Sequence, residues 1–438
     1  MARATMYFPP DFLWGTATSS HQVEGNNENN DWWAWEQEEG RILNGDKSGV
    51  ACDWWANAER DFDHAAALHT NAHRLSLEWS RIEPEPSVFN AAALDRYRAM
   101  LQGLHDRGIE PMVTLHHFTN PRWLGEKGDF DSDLMVDYFQ RYTTQVVDKL
   151  GDLIPKWVTI NEPLIYLFFR YLGNEFPAPR QKGWGAARRA IHTMLKCHAA
   201  AYHTIKESYP ESLIGVAAHI RPIQPPADGG RLDHYWARQM DWLFNDMWLE
   251  AMRDGRIRGI LGRGTIKGLA GTYDYLGLNY YSRSLIRFPR TQPEPCPDGA
   301  EMSDMNFMEN YPAGMFHSIK RLLRYQKPIY ITENGLPDKE DRLRPAYLIA
   351  HLREIWRAIS FNFPVMGYYH WSLVDNFEWE RGWSQRFGLI GLDLGTQERQ
   401  WRPSAHLYAQ ICRDYALSSD LTEQYAPTLL PVLFPGNS

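Results

Sequence analysis

The chain is poor in cysteine, with four in 438 residues (Cys52, Cys197, Cys296, Cys412) and none in C-x-x-C spacing. That excludes a disulfide framework and a cysteine-ligated zinc site, and it fits a reducing compartment, so a cytoplasmic location is expected. Long hydrophobic runs are missing too. No apolar stretch reaches ~18 residues, so no membrane span is expected, and the mean hydropathy of −0.50 agrees. The opening MARATMYFPP has no apolar core ahead of its prolines, which argues against a secretory signal. Positive charge is in deficit: 46 Lys+Arg against 54 Asp+Glu leave a net −8. Without a basic patch, nucleic acid is not an expected partner. Neither a dinucleotide-binding G-x-G-x-x-G nor a P-loop motif occurs; GILGRG at 259–264 is the nearest imitation and reads as a loop. No repeat of ~20–50 residues is visible, which excludes solenoids and propellers.

What the chain has in excess is aromatic surface: 13% Phe, Trp and Tyr, including 18 tryptophans. Indoles offer flat apolar faces and one N–H donor. Several stand beside acids or amides, a mixture that suits a polar ligand with an apolar face, such as a sugar ring. Short apolar or β-branched runs recur at Phe12–Gly15, Ala72–Leu77, Pro111–Leu115, Lys156–Ile160, Leu213–Ala217, Tyr273–Leu278, Pro328–Ile331 and Val365–Tyr369. Between them lie stretches with helical periodicity. Leu134–Leu150 is one, with Leu134, Val136, Tyr138, Phe139, Tyr142, Val146, Val147 and Leu150 largely along one face; Ala186–Tyr209 and Tyr347–Phe361 are others. Eight such alternations without a linker predict a single α/β domain over 1–438, a closed (β/α)8 barrel. The longest loops, at 17–60, 164–185 and 282–315, are expected on the face at the C-terminal ends of the strands, which carries the site in such barrels.

Polar residues gather at the ends of these runs: Arg74 in the second, His116-His117 after the third, Asn161-Glu162 after the fourth, Asn279-Tyr280-Tyr281 after the sixth, Glu333-Asn334 after the seventh, Trp371 after the eighth. Glu162 and Glu333 each follow a strand-like stretch and precede a helix breaker. A carboxylate there is costly unless it serves as a ligand, an ion pair or a catalyst. Two such acids across a barrel mouth are the equipment of glycoside hydrolysis, one donating a proton while the other attacks or activates water. Arg74 and Tyr281 are placed to keep one acid ionised, while a less polar wall raises the other.

Seven segments, in order and spanning nearly the whole chain, then carry a family likeness: FLWGTATSSHQVEG (12–25), HRLSLEWSRI (73–82), TLHHFTNPRWL (114–124), TINEP (159–163), LGLNYYS (276–282), ITENG (331–335) and WSLVDNFEWERGWSQRFGL (371–389). The sequence resembles glycoside hydrolase family 1, the retaining β-glucosidases, β-galactosidases and related β-glycosidases. The resemblance implies that Glu162 is the general acid/base and Glu333 the nucleophile, with Arg74 and Tyr281 orienting Glu333 and Asn279 positioning the acid/base region. It implies further that Asn161 holds the sugar 2-hydroxyl, that Gln22, His117, Glu378 and Trp379 bind the remaining hydroxyls, and that Trp371 forms the floor beneath the ring. The substrates implied are small β-glycosides with terminal glucosyl, and also galactosyl or fucosyl, residues. Retention predicts carboxyl groups about 5–5.5 Å apart. Two positions depart from the pattern: Phe118 where many members carry Trp, and Asn120 where an apolar residue is common, the latter read as a loop detail. The Glu378-Trp379 pair resembles that of members acting on unphosphorylated sugars.

Other polar groups invite different readings. His116, His117, His219 and Glu162 offer donors for a divalent ion, but adjacent residues at a strand end point to opposite sides. One histidine on substrate and one packed behind is therefore expected, with no metal and no organic cofactor. A sugar-binding protein without turnover is a further alternative, against which both acids are present. Glu78, Glu83 and Glu85 read as a solvated rim with Arg81 as ion-pair partner, and Asp61-Phe62-Asp63-His64 as a surface face of a helix. Asp375 and Asn376 are expected to brace the turn after the eighth strand.

Overall fold

A computed structural model describes residues 4–435. Eight parallel strands close a barrel: β1 (Leu13–Ala17), β2 (Ala72–Ser76), β3 (Glu110–His116), β4 (Lys156–Asn161), β5 (Leu213–His219), β6 (Leu276–Asn279), β7 (Ile329–Asn334) and β8 (Val365–Trp371). Each pairs with its sequence neighbours, and β8 pairs with β1 to seal the cylinder. Seven of the eight runs expected from sequence lie within their strands to within one residue, though Phe12–Gly15 and Pro328–Ile331 cover only the first three residues of β1 and β7. The sixth is displaced, because Tyr273–Tyr275 precede the strand, and the fifth extends two residues further, to His219.

The barrel interior is filled by Ala17, Ala72, Met112, Val158, Ala217, Tyr275, Tyr330 and Tyr369. Small and large residues alternate because the tyrosine rings need room. A Cβ on Gly15 would meet the Tyr369 ring at 2.6 Å, and one on Gly215 would meet Tyr275 at 2.8 Å. The larger core lies outside, between strands and helices. Helices α1 (Trp54–Ala67), α2 (Ala91–His105), α3 (Leu134–Leu150), α4 (Trp184–Ser208), α5 (Arg231–Asn245), α6 (Ala313–Leu322), α7 (Arg344–Ser360) and α8 (Pro403–Asp414) follow the strands in turn. Helix α3 matches its expected bounds, but its buried stripe is Met135, Phe139, Tyr142, Val146, Val147 and Leu150, while Leu134 faces solvent. Met135 falls in phase with Phe139 and Tyr142; Leu134 does not. The GILGRG segment is a loop ending in a two-residue ribbon, Gly264–Thr265.

Two surface readings need correction. Asp61 and Phe62 are buried; Asp61 pairs with Arg399 at 2.7 Å and accepts from Trp54 Nε1 at 2.6 Å, because the ribbon carrying Arg399 covers that face of α1. Only Asp63 of that run is exposed. In the acidic rim, Glu85 alone is exposed. Glu83 is buried and pairs with Arg141, Arg81 turns to Glu24 at 2.9 Å, and Glu78 is buried with no ion-pair partner among the described residues. Asp375 does brace the turn after β8, accepting from Gly388 N–H at 2.9 Å and pairing with Arg402 at 2.8 Å. Among the described residues, no helix is long and apolar enough to cross a membrane.

Candidate active site

All eight strands point their C-terminal ends to one face. There β3 ends at His116, β4 at Asn161, β5 at His219, β6 at Asn279, β7 at Asn334 and β8 at Trp371. The loops covering residues 18–53, 162–183 and 280–312 stand on the same face. Glu162 is the residue at which β4 turns into a short helix begun by Pro163, and its backbone is left-handed (φ 42°). Pro163 cannot donate to a ladder, so the strand stops and the carboxyl turns into the barrel mouth.

Glu333 sits one residue before the end of β7, and both its oxygens are held. The Arg74 guanidinium donates to Oε1, and the Tyr281 hydroxyl donates to Oε2 at 2.7 Å. Arg74 spans the barrel, also donating to Asn161 Oδ1 at 2.6 Å. Glu162 is held differently. Asn279 Nδ2 donates to its Oε1 at 2.8 Å, and His219 Nδ1 lies 3.0 Å from the same oxygen. Among the described residues no group bonds Oε2. Asn279 is itself fixed by Thr332, whose hydroxyl donates to its Oδ1 at 2.7 Å.

The two acids titrate as a coupled pair. Burial pushes the Glu333 carboxyl up, to about 7, with the Glu162 charge adding to the rise and Arg74 and Tyr281 opposing it. Burial also raises Glu162, but the His219 charge and the His219 and Asn279 hydrogen bonds carry it below the ordinary value. The pair therefore keeps one proton up to about pH 7.

A cavity of about 350 Å³ opens above these groups, lined by both acids and by His117, Asn161, Tyr281, Trp371, Glu378 and Trp379 among others. The His117 ring stacks on Trp371 at 5.9 Å and on Trp379 at 6.0 Å. Burial holds its imidazole well below the usual histidine range, hence neutral. Its Nε2 accepts from Asn161 Nδ2 at 3.2 Å, while its buried Nδ1 has no partner among the described residues. Gln22 lies behind the wall and donates from Nε2 to Phe377 O at 2.8 Å and to Glu378 Oε2 at 3.2 Å. Burial drives the Glu378 carboxyl well up.

Residues 4–416 match the family model described as Glycosyl hydrolase family 1. The chain belongs to glycosyl hydrolase family 1. It is 30% identical to beta-glucosidase A of Thermotoga maritima over 94% of this chain and 98% of that protein. It is 28% identical to a beta-galactosidase of Pyrococcus woesei over 95% and 99%. Its fold matches a beta-glycosidase from Pyrococcus horikoshii with TM-score 0.89 and 35% identity, covering 96% and 98%.

The sequence-selected residues of this family 1 protein thus converge on one end of the barrel. Those lining the cavity are Asn161, Glu162, His117, Tyr281, Glu333, Trp371, Glu378 and Trp379; Gln22, Arg74 and Asn279 form the layer that holds them. Phe387 also lines it. Phe118, in place of the common Trp, packs against Phe176 at 4.9 Å and Trp379 at 5.3 Å. Asn120 is more than a loop detail. Its amide joins His116, Asp31 and Tyr166, tying the loop after β3 to the loop after β1. His116 packs behind, against Phe130 and Tyr166, while His117 faces the cavity. Among the described residues no group of three or more His, Cys, Asp or Glu is arranged to hold a metal. His219, read from sequence only as a candidate metal donor, contacts Glu162, a role that sequence reasoning missed. The rule that found the other residues, a polar side chain at a strand end, finds it once β5 is extended past Ala217.

Proposed function

We propose that the protein is an exo-acting, retaining β-glycosidase. It removes terminal non-reducing β-D-glucosyl residues, and β-D-galactosyl and β-D-fucosyl residues, from small-molecule β-glycosides or short β-linked oligosaccharides. The observation that carries this reading is the unequal holding of the two acids. Glu333 has a guanidinium on one oxygen and a phenol on the other, which suits an anion; Glu162 has Oε2 free to carry a hydrogen. Of the two one-proton forms of the pair, the competent one has the proton on Glu162. Glu333 attacks the anomeric carbon as the C1–O bond to the leaving group breaks, and Glu162 gives its proton to the departing oxygen. Glu162 then takes a proton from water, which displaces Glu333 and returns the sugar with its β configuration.

The hydrogen bonds of Asn161 to Arg74, the partner of Glu333, and to His117 support its reading as the residue that holds the 2-hydroxyl. The neutral His117 and the Gln22–Glu378 pair supply donors and acceptors for the other hydroxyls, and Trp371 supplies an apolar ring face. Acid/base and covalent steps suffice, with no metal or organic cofactor. All four cysteines are free, which supports a reducing, cytoplasmic setting.

Initial rates on p-nitrophenyl β-glucoside, β-galactoside and β-fucoside, with the α-glucoside as control, test the reading. Glu333→Ala is expected to abolish turnover. Glu162→Ala should lose about 10²–10⁴-fold on poor leaving groups and much less on p-nitrophenyl, which needs little protonation. Equal losses on every leaving group would contradict the division of roles.

A further inference from the structure

A larger cavity, of about 720 Å³, adjoins the catalytic one and shares Ile165, Phe169, Glu175 and Arg221 with it. Its walls are mainly apolar: Phe168 and Phe169 from the loop after β4, Ile223 beyond β5, Met240 and Phe244 from α5, and Ile286 from the loop after β6. The chamber begins beside the acid. Phe244 stacks on Phe168 at 5.9 Å and meets edge-on, at 5.8 Å, the His219 ring that contacts Glu162. A leaving group protonated by Glu162 therefore extends toward this space, a statement that rests on the proposed function above.

The chamber also carries charged groups. Arg221 stands at the junction with its backbone clamped on both sides: its N–H donates to Asn245 Oδ1 at 2.8 Å, and its carbonyl accepts from Asn245 Nδ2 at 2.9 Å. Its Nε is buried without a partner, and no carboxylate pairs with its guanidinium among the described residues. Lys182, on another wall, has no ion-pair partner among the described residues and donates to Gly173 O and Asn174 Oδ1. Glu175, the acid in this lining, is turned to the Asn174 N–H. Arg221 is partly buried, so its guanidinium faces the chamber with one N–H donor, Nε, unsatisfied, and a ligand anion would complete it.

We propose that this chamber is a leaving-group site for β-glycosides whose aglycone joins an apolar aromatic or aliphatic body to an anionic group, with Arg221 binding the anion. The large apolar volume accepts the body, and the fixed cation selects its charge. A neutral disaccharide leaving group uses neither.

The test compares kcat/KM for two β-glucosides of equal size, those of 3-(4-hydroxyphenyl)propanoate and of its propanamide. The two-carbon spacer insulates the phenol, so leaving-group acidity is matched and only the charge differs. p-Nitrophenyl β-glucoside is run beside them. The carboxylate should be favoured by at least about tenfold, the scale of a charge-assisted hydrogen bond. Arg221→Gln should bring the ratio near one, and Arg221→Lys should restore part of it. A ratio near one in the unmodified enzyme, with p-nitrophenyl β-glucoside turned over, overturns this inference and leaves the glycosidase reading standing. So does a ratio that survives Arg221→Gln while both rates fall together, because Arg221 would then act on Glu162. Silence on all three substrates overturns the proposed function and this inference with it.

Discussion

At the scale of residues, the site is two carboxyls made different by their neighbours. Because Glu162 is held below the ordinary carboxylate range and the pair keeps its last proton to about 7, kcat/KM should follow a bell with its upper limb near 7. Each limb has a named lever. Tyr281→Phe removes a donor to ionised Glu333, so the nucleophile is harder to ionise and the upper limb, set by the Glu333 value near 7, moves to higher pH. His219→Asn removes the influence that holds Glu162 down, so the lower limb moves up. Opposite movements, or one shared shift, in the measured profiles would contradict these assignments. The two acids were legible in the sequence because each interrupts an apolar run before a helix breaker. What holds them was less so. Thr332 acts through Asn279, from the neighbouring strand β6, and that register cannot be read from a linear pattern.

At the scale of elements, strands and helices were legible because apolar runs and helical periodicity are local. Misreadings fell where a distant element covers a charged face. Asp61 looked exposed on α1 because its partner, Arg399, lies far along the chain in the ribbon Ile390–Leu392 with Arg399–Trp401. Removing one partner of such a buried pair leaves a buried charge, so Asp61→Ala should cost about 3–5 kcal/mol in denaturant unfolding. A loss below about 1 kcal/mol would mean the pair behaves as a surface bridge. Asn120 follows the same logic. An amide in a loop is ordinary in sequence, and only the fold sets Asp31, His116 and Tyr166 around it.

At the scale of the whole molecule, the loops after β1, β2 and β3 are joined through Glu78, which accepts from Ser20, Asn30, Ser80 and Thr119. Burial, with the Glu24 charge, lifts this carboxyl from its ordinary 4.5 to about 7. The folded state then binds its proton more tightly than the unfolded chain. Its contribution is complete below about 4.5 and is lost as pH rises to about 7, a change of about 3 kcal/mol. Glu78→Gln, neutral throughout, should flatten that part of the stability–pH curve; an unchanged slope would show that the group does not carry it. The barrel and the position of its site were legible from eight alternations and from polar residues kept in phase at strand ends. The leaving-group chamber was not, because its walls come from three loops and a helix whose mutual placement no local pattern encodes.

The central claim is that Glu333 becomes covalently glycosylated. The most direct measurement is peptide mass mapping after incubation with 2,4-dinitrophenyl 2-deoxy-2-fluoro-β-D-glucoside. Its fluorine slows both steps by disfavouring the oxocarbenium-like transition state, while its leaving group lets the first proceed. Time-dependent loss of activity with a fluoroglucosyl adduct on Glu333 is the predicted result. An adduct on another residue, or no adduct in an enzyme that turns over p-nitrophenyl β-glucoside, would contradict the account.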